Sequence, residues 1–268
     1  MARKQAPATK AGKLMEQLGR LSAARELDDF AIRRVERAAK ALMDVDPASA
    51  HTALGGAAAL RDDAEAARSH HRIALRLADN ETTQFNYAVS LSLLEETEEA
   101  FEVATAALER FPDDLALLGQ ATTAALESGH FRAARSLCDR WNAMVPDRAH
   151  QYSRLAQRLA DAVDTGTITE DAVRSLLKVA NGVQRDAHVR SMANRIGTLD
   201  TTDDFGPDQR DSGPSYLYVR QLHAEPTLAS ALNEQLADRV ATRPDLLENP
   251  GLTFTVGFVG TSADDSEP

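Results

Sequence analysis

The sequence predicts a mainly α-helical protein: a solenoid of stacked helix pairs followed by a small α/β (strand–helix–strand) unit. Three observations carry this. Small residues recur with a period of about 34 between residues 48 and 148. Alanine is abundant while aromatic residues make up only 5%. That favours close helix–helix packing over a β-sandwich, because alanine is the best helix former and lets backbones approach. Near the C-terminus the pattern switches from helical spacing to strict alternation. At 268 residues, 43% of them hydrophobic, the chain has room for one large or two modest domains and an ample core.

Residues 1–12 carry Arg3, Lys4 and Lys10 among small residues and a proline, and read as a disordered basic tail. An arm that touches nucleic acid is the sharper alternative. From Lys13 to about Val45 the spacing is helical, with Leu14, Leu18 and Leu21 on one face and Phe30, Val35 and Leu42 further on. Two helices meet near Glu26–Asp29.

The repeats begin after Asp46-Pro47, in the segments 48–81, 81–114 and 115–148. A small-residue column reads Ala67, Ala100, Ala134, and another column, not confined to small residues, reads Ala74, Ala107, Trp141. A third reads Asp79, Pro112, Pro146, each at the end of a helical pattern, where a proline cannot continue the hydrogen-bond ladder. Leu54-Gly55, Tyr87-Ala88 and Ala121-Thr122 align near the front of each segment. The turns inside the pairs are 61–63, 95–97 and 128–130. Two antiparallel helices cannot bury their apolar faces alone, so each pair leans on the next, and the small columns mark where backbones come close.

Residues 48–148 therefore resemble three tetratricopeptide (TPR) repeats. The third fits best, through Gly129, Phe131, Ala134 and Pro146; the second fits through Asn86, Tyr87, Ala88, Ala100, Ala107, Leu108 and Pro112. The first departs, with His71 where a large apolar residue is usual and Asp79 in the proline column. With flanking helices as caps, the solenoid reads as residues 13–163.

Residues 149–163 read as a capping helix with Tyr152, Leu155, Leu159 and Val163 on one side. Residues 164–260 read as a separate small α/β unit. Thr169 looks like an N-cap followed by early acids, with one helix to about Asn181 and another over about Asp186–Ile196. The acidic stretch 198–214 reads as a loop. Segments 215–223 and 252–259 read as strands. In the second, Leu252, Phe254, Val256 and Phe258 face one way. Between them, Pro226–Thr242 is an amphipathic helix. Two strands make a marginal sheet, so either the helices of 169–196 cover it or further strands come from a second copy or a partner. Residues 261–268 read as a disordered acidic tail.

The resemblance implies that the first helix of each pair lines a groove for a peptide or helix. Position by position it would present Ser49, Thr52, Gly56 and Leu60, then Phe85, Val89, Ser92 and Leu93, then Gly119, Thr123, Leu126 and Glu127. This lining is small and apolar, unlike the basic clamps that hold a C-terminal carboxylate. The expected ligand is an apolar helix or extended segment. The alternative is that this face packs on the protein's own helices.

Other chemistry finds little support. There is no phosphate-cradling glycine loop, H-E-x-x-H, G-x-S-x-G or C-x-x-C, so no catalytic residue, cofactor or metal site is predicted. Cys138, the one cysteine, and Trp141 fall in core-facing columns. Adjacent His70 and His71 point about 100° apart on a helix and cannot jointly grip a metal; one should be packed and the other solvated. The five aspartates of 198–214 fit no EF-hand spacing. His223 ends a strand and is the one handle for an enzyme reading.

A net charge of −11 repels phosphate backbones on average and suits a basic protein partner. No apolar run approaches the roughly 18 residues that cross a bilayer, and no signal peptide is recognisable at residues 1–13, so cytoplasmic residence is expected. The leading expectation is an adaptor, scaffold or regulatory subunit that assembles through its C-terminal unit, with a homo-oligomer through the C-terminal strands as one form. The rivals are a neutralising, immunity-type protein that masks a basic toxic enzyme, an enzyme sited between solenoid and C-terminal unit, and RNA binding through the tail.

Overall fold

The computed structural model describes residues 10–24, 27–189, 191–199, 215–222, 224–247 and 254–260. Residues 1–9, 200–214, His223 and 261–268, which carry the expectations of a basic tail, of most of the 198–214 loop and of an acidic tail, lie outside the described residues; Thr198 and Leu199, expected in that loop, instead end a strand. Ten consecutive helices come first: α1 (Lys10–Ala23), α2 (Asp29–Lys40), α3 (Pro47–Leu60), α4 (Ala64–Leu77), α5 (Glu81–Leu93), α6 (Thr97–Arg110), α7 (Leu115–Ser128), α8 (Phe131–Met144), α9 (Ser153–Asp164) and α10 (Glu170–Asp186). Then follow β1 (Ser191–Leu199), β2 (Ser215–Leu222), α11 (Pro226–Ala241), the short α12 (Pro244–Leu247) and β3 (Phe254–Gly260). The chain divides into two compact units, residues 1–120 and 121–268, with the division inside α7.

The 34-residue period is written into the helix ends as well as the core. Asp46, Asn80 and Asp114 stand 34 apart, and each side chain accepts from the backbone N–H three residues on, at Ser49, Thr83 and Leu117. Asp28 and Asp63 cap α2 and α4 in the same way. Such caps are worth about 1 kcal/mol each, because they satisfy orphan donors of the first turn.

The turns inside the three pairs share one geometry. Asp62, Glu95 and Gly129 all have positive φ, at 60°, 56° and 86°. In each, the next residue's N–H reaches back five positions to close a Schellman motif: Asp63 to Ala58, Glu96 to Leu91, His130 to Ala125. Only the third turn uses glycine, the residue that adopts this conformation without steric cost. Gly129 also sits where a Cβ would lie 3.0 Å from Arg174 Cγ and 3.3 Å from the Arg174 backbone nitrogen and Leu177 Cδ1. Gly129→Ala should therefore lose about 1–2 kcal/mol, the left-handed penalty for an L residue plus crowding against α10. A lowered urea midpoint with an unchanged slope would register it.

In the unit 1–120, the columns read from the sequence are buried: Leu54, Gly55, Tyr87, Ala88, Ala67, Ala100, Ala74 and Ala107. Helix α1 packs on both α2 and α3, with Leu14, Leu18 and Leu21 joining Ile32, Val35, Ala53, Leu54 and Leu60 in one apolar cluster. It starts at Lys10, three residues inside the stretch read as tail.

In the unit 121–268, Phe131, Ala134 and Cys138 of α8 are buried. Trp141 is only half-buried, a departure from its core-facing column; its indole N–H donates to the Arg148 carbonyl at 3.1 Å. Helix α9 packs on α8 with Leu159 and Val163 inward, and Arg132 and Arg135 of α8 pair with Asp164.

The strand–helix–strand reading holds, as β2, α11 and β3, with β2 and β3 parallel. Two expectations there are corrected. The helix expected over Asp186–Ile196 is absent: α10 continues past Asn181 to Asp186, and Ser191–Leu199 is a strand. The stop is a fourth Schellman turn, with His188 at φ 54° and the Val189 N–H bonded to the Gln184 carbonyl. No glycine or proline announces it, so the helix-favouring residues that follow read as helix until pairing with β2 overrides them. The third strand of the sheet is thus β1 of the same chain, antiparallel to the central β2. Thr169 precedes α10 as read, but its side chain makes no cap bond to the helix.

Helix α11 lies against β3 with Ala229, Leu232 and Leu236 buried, opposite Val256 and Phe258. The Asn233 amide donates to the Phe258 carbonyl at 2.9 Å and accepts from the Phe258 N–H at 2.8 Å. A strand residue's N–H and C=O point the same way, so this pair faces away from β2 and one side chain closes the outer edge of β3 there. Arg220 of β2 is fully buried and donates to the side-chain oxygens of Gln184 and Asn181 on α10.

Candidate functional site

The side chains expected to line the groove divide into covered and open sets. In the first repeat Thr52 is buried, and its hydroxyl donates to the Ala48 carbonyl of its own helix at 2.9 Å. Leu60 is 1% exposed. Gly56 lies under α1, where a Cβ would stand 3.0 Å from Leu18 Cδ1. At this end the face packs on one of the protein's own helices.

On α5, Phe85, Val89, Ser92 and Leu93 are all half-buried. Their spacing of four, three and one puts them along one stripe. Leu93 also touches the cluster that contains the α1 leucines. Gly119 on α7 is half-buried, and beside it Gln120 donates its amide to Ser92 Oγ at 2.9 Å. No sequence signal marks Gln120, because a lone glutamine carries no motif and its value depends on reaching a neighbouring helix. The open set in this unit is thus an apolar stripe with one hydroxyl–amide pair at its edge. In the unit 121–268, Thr123 and Glu127 are half-buried and Leu126 is buried at 3% exposure.

Behind this face a polar network ties the first two pairs together. Arg68 of α4 binds Glu99 of α6 through Nε at 2.9 Å and Nη2 at 2.7 Å, and reaches Glu96 at 3.2 Å. Tyr87 of α5 donates its hydroxyl to the other Glu99 oxygen at 2.9 Å. Burial, then the bond to Glu99, pushes the Tyr87 phenol up to about 12. On the Tyr87 ring stacks His71, with centroids 5.1 Å apart. His71 is fully buried, its Nε2 is 2.8 Å from Ser90 Oγ, and its Nδ1 has no partner among the described residues. This is the residue that stands out from its apolar column in the sequence. It holds repeat to repeat by packing and one hydrogen bond, and burial lowers its pKa to about 3.

Cys138 Sγ lies 3.6 Å from His150 Nδ1. That nitrogen accepts the Tyr152 N–H at 3.3 Å. Burial pushes the thiol up to about 11, which leaves almost no thiolate at neutral pH. No group of three or more histidine, cysteine, aspartate or glutamate side chains able to hold a metal occurs among the described residues. No helix there is long and apolar enough to cross a membrane.

The sequence profile of the tetratricopeptide repeat matches residues 93–159, from the end of α5 through α6, α7 and α8 into α9. The first pair, which departs most from the pattern through His71 and Asp79, lies outside that match. No curated protein and no solved structure matches the chain.

Proposed function

The chain is a TPR-like repeat protein, and from that premise we propose that it works as an adaptor or regulatory subunit that grips an apolar helix or extended segment of a partner protein. The observation that supports this is the open stripe Phe85, Val89 and Leu93, bordered by the Ser92–Gln120 pair and Gly119. Apolar groups held half-buried on a rigid helix can be covered by a partner without an ordering cost to the scaffold. Thr52, Gly56, Leu60 and Leu126 play no direct part while α1 and neighbouring core cover them.

The net charge of −11 favours a basic partner and raises the encounter rate. The same charge supports the neutralising, immunity-type reading, in which the partner is itself a basic enzyme. Assembly through the C-terminal strands is left with the β1 edge, since Asn233 closes β3 at Phe258.

The test is affinity capture from host cells at moderate salt, comparing the natural chain with Phe85→Glu and Val89→Glu, each checked for unchanged helicity. A carboxylate at the centre of an apolar contact costs about 2 kcal/mol or more, roughly thirtyfold in affinity. A stoichiometric protein captured by the natural chain and lost by both variants supports the reading. Equal capture by all three rejects this face as the site.

A further inference from the structure

Helix α2 turns a stripe of cations outward, in a chain whose net charge is −11. Its buried side consists of Ala31, Ile32, Val35 and Ala39. On the opposite side Arg33, Arg34, Arg37 and Lys40 are all exposed. None of these four forms an ion pair among the described residues, whereas Arg20, Arg61, Arg68 and Arg110 of the same unit each hold a carboxylate. Glu36, on the flank of the stripe, is taken by Arg61 at 3.1 Å.

The fold itself gains little from this arrangement. Like charges three and four residues apart on a helix repel. The helix dipole favours Arg37 and Lys40 in the last turn, but not Arg33 and Arg34 earlier in the helix. Charge is also unevenly spread along the chain. Residues 1–40 hold ten Lys/Arg against five Asp/Glu, a net of +5, and the remainder holds 20 against 36, a net of −16.

Phe30 stands at the N-terminal end of the stripe. Helical spacing groups it with Val35 and Leu42, yet those two are buried and Phe30 is 68% exposed. The Arg34 guanidinium lies over its ring, 5.7 Å from the centroid. A large apolar ring held in water beside unpaired cations gains from being covered.

We propose that this face of α2 docks a short acidic segment of a partner protein, with carboxylates on Arg33, Arg34, Arg37 and Lys40 and an apolar side chain on Phe30. It is a second surface, on a different helix from the α5 stripe. Guanidinium groups suit the carboxylates, because each can hold one through two parallel N–H bonds. The limits of the stripe argue for a short occupant. From Phe30 to Lys40 it runs about 15 Å, and exposed Asp28 and Asp29 stand just beyond Phe30. An extended polyanion, whether nucleic acid or an anionic bilayer, would run onto these carboxylates and into the field of the acidic remainder. A segment of about ten residues ends within the stripe.

The experiment follows the fluorescence anisotropy of a labelled synthetic peptide of about twelve residues, glutamates with one leucine, as the full chain is added. The natural chain should bind it, and should do so at least tenfold more weakly when salt rises from roughly 50 to 300 mM. Arg33→Glu/Arg37→Glu, checked for folding by circular dichroism, should weaken binding at least about tenfold. Arg33→Gln/Arg37→Gln serves in its place if the reversal unfolds the chain. Arg148→Glu/Arg154→Glu reverses two exposed cations in the other unit with the same change in net charge; it should alter binding by less than about twofold. Phe30→Ser should weaken the leucine peptide roughly threefold and leave a serine-for-leucine peptide unaffected. The proposal is overturned if the peptide does not bind, or if both charge reversals weaken it equally. Tighter binding of single-stranded RNA or of phosphatidylserine vesicles through Arg33 and Arg37, or self-association of the chain through them in sedimentation, assigns the face to another occupant and overturns it too.

Discussion

Gly55→Ala is expected to destabilise the unit 1–120 by about 3 kcal/mol, although it replaces a mid-helix glycine by the best helix former. The propensity gain is real and amounts to about 1 kcal/mol. Against it, the new methyl would lie 2.6 Å from His71 Cδ2 and Nε2. The ring is fully buried against Tyr87 and has nowhere to retreat. Overpacking of this kind costs about 1–3 kcal/mol. Displacing the ring also breaks its contact with Ser90 and leaves two buried polar groups unsatisfied, at about 1–3 kcal/mol. The clash wins. A double-variant cycle isolates the cause: His71→Ala alone opens a cavity, but combined with Gly55→Ala the new methyl partly fills it. The two changes together should therefore cost clearly less than their sum. Strict additivity in chemical denaturation would show that the ring is not what glycine accommodates.

Acid should weaken the fold earlier than its carboxylates alone would dictate. His71 has its pKa lowered to about 3 from the ordinary 6.5, chiefly by burial and then by the charge of His70. Structurally, protonation at Nδ1 would bury a charged N–H that has no acceptor among the described residues. Because the folded-state value is the lower one, the unfolded chain binds the proton first. Stability is therefore full above pH 6.5 and falls as pH drops towards 3. At about 1.4 kcal/mol per pH unit, the loss between pH 6.5 and 4.5 is roughly 3 kcal/mol. Removing the titration with His71→Phe, paired with Ser90→Ala to avoid stranding the hydroxyl, should flatten the stability curve in that window. Below about pH 4 the curve should stay steep, as salt-bridged carboxylates such as Glu99 protonate. An unchanged slope between pH 6.5 and 4.5 in the double variant would contradict the assignment.

The repeat region was legible because its determinants are local. Columns such as Ala67, Ala100 and Ala134 need only a helix and a close neighbour, and both follow from spacing. The caps Asp46, Asn80 and Asp114 add the same period through side-chain-to-backbone bonds within three residues. What failed to show was long-range. β1 carries helix-compatible residues and becomes a strand because β2 pairs with it, after a left-handed turn at His188 that no glycine marks. The candidate face was half legible for the same reason. Position along α3 and α5 follows from the period, but that α1 lies over Gly56 and Leu60 depends on a helix whose leucines could have packed elsewhere.

The most direct test of the central claim is site-specific photo-crosslinking in host cells, with a benzophenone amino acid at Phe85. If the α5 stripe is where another protein docks, irradiation should give a discrete adduct between this chain and one other protein, and adding Val89→Glu should abolish it. An adduct only within the chain itself, or none at all, would mean that this face is closed in the cell and that the protein does not work by holding a partner there.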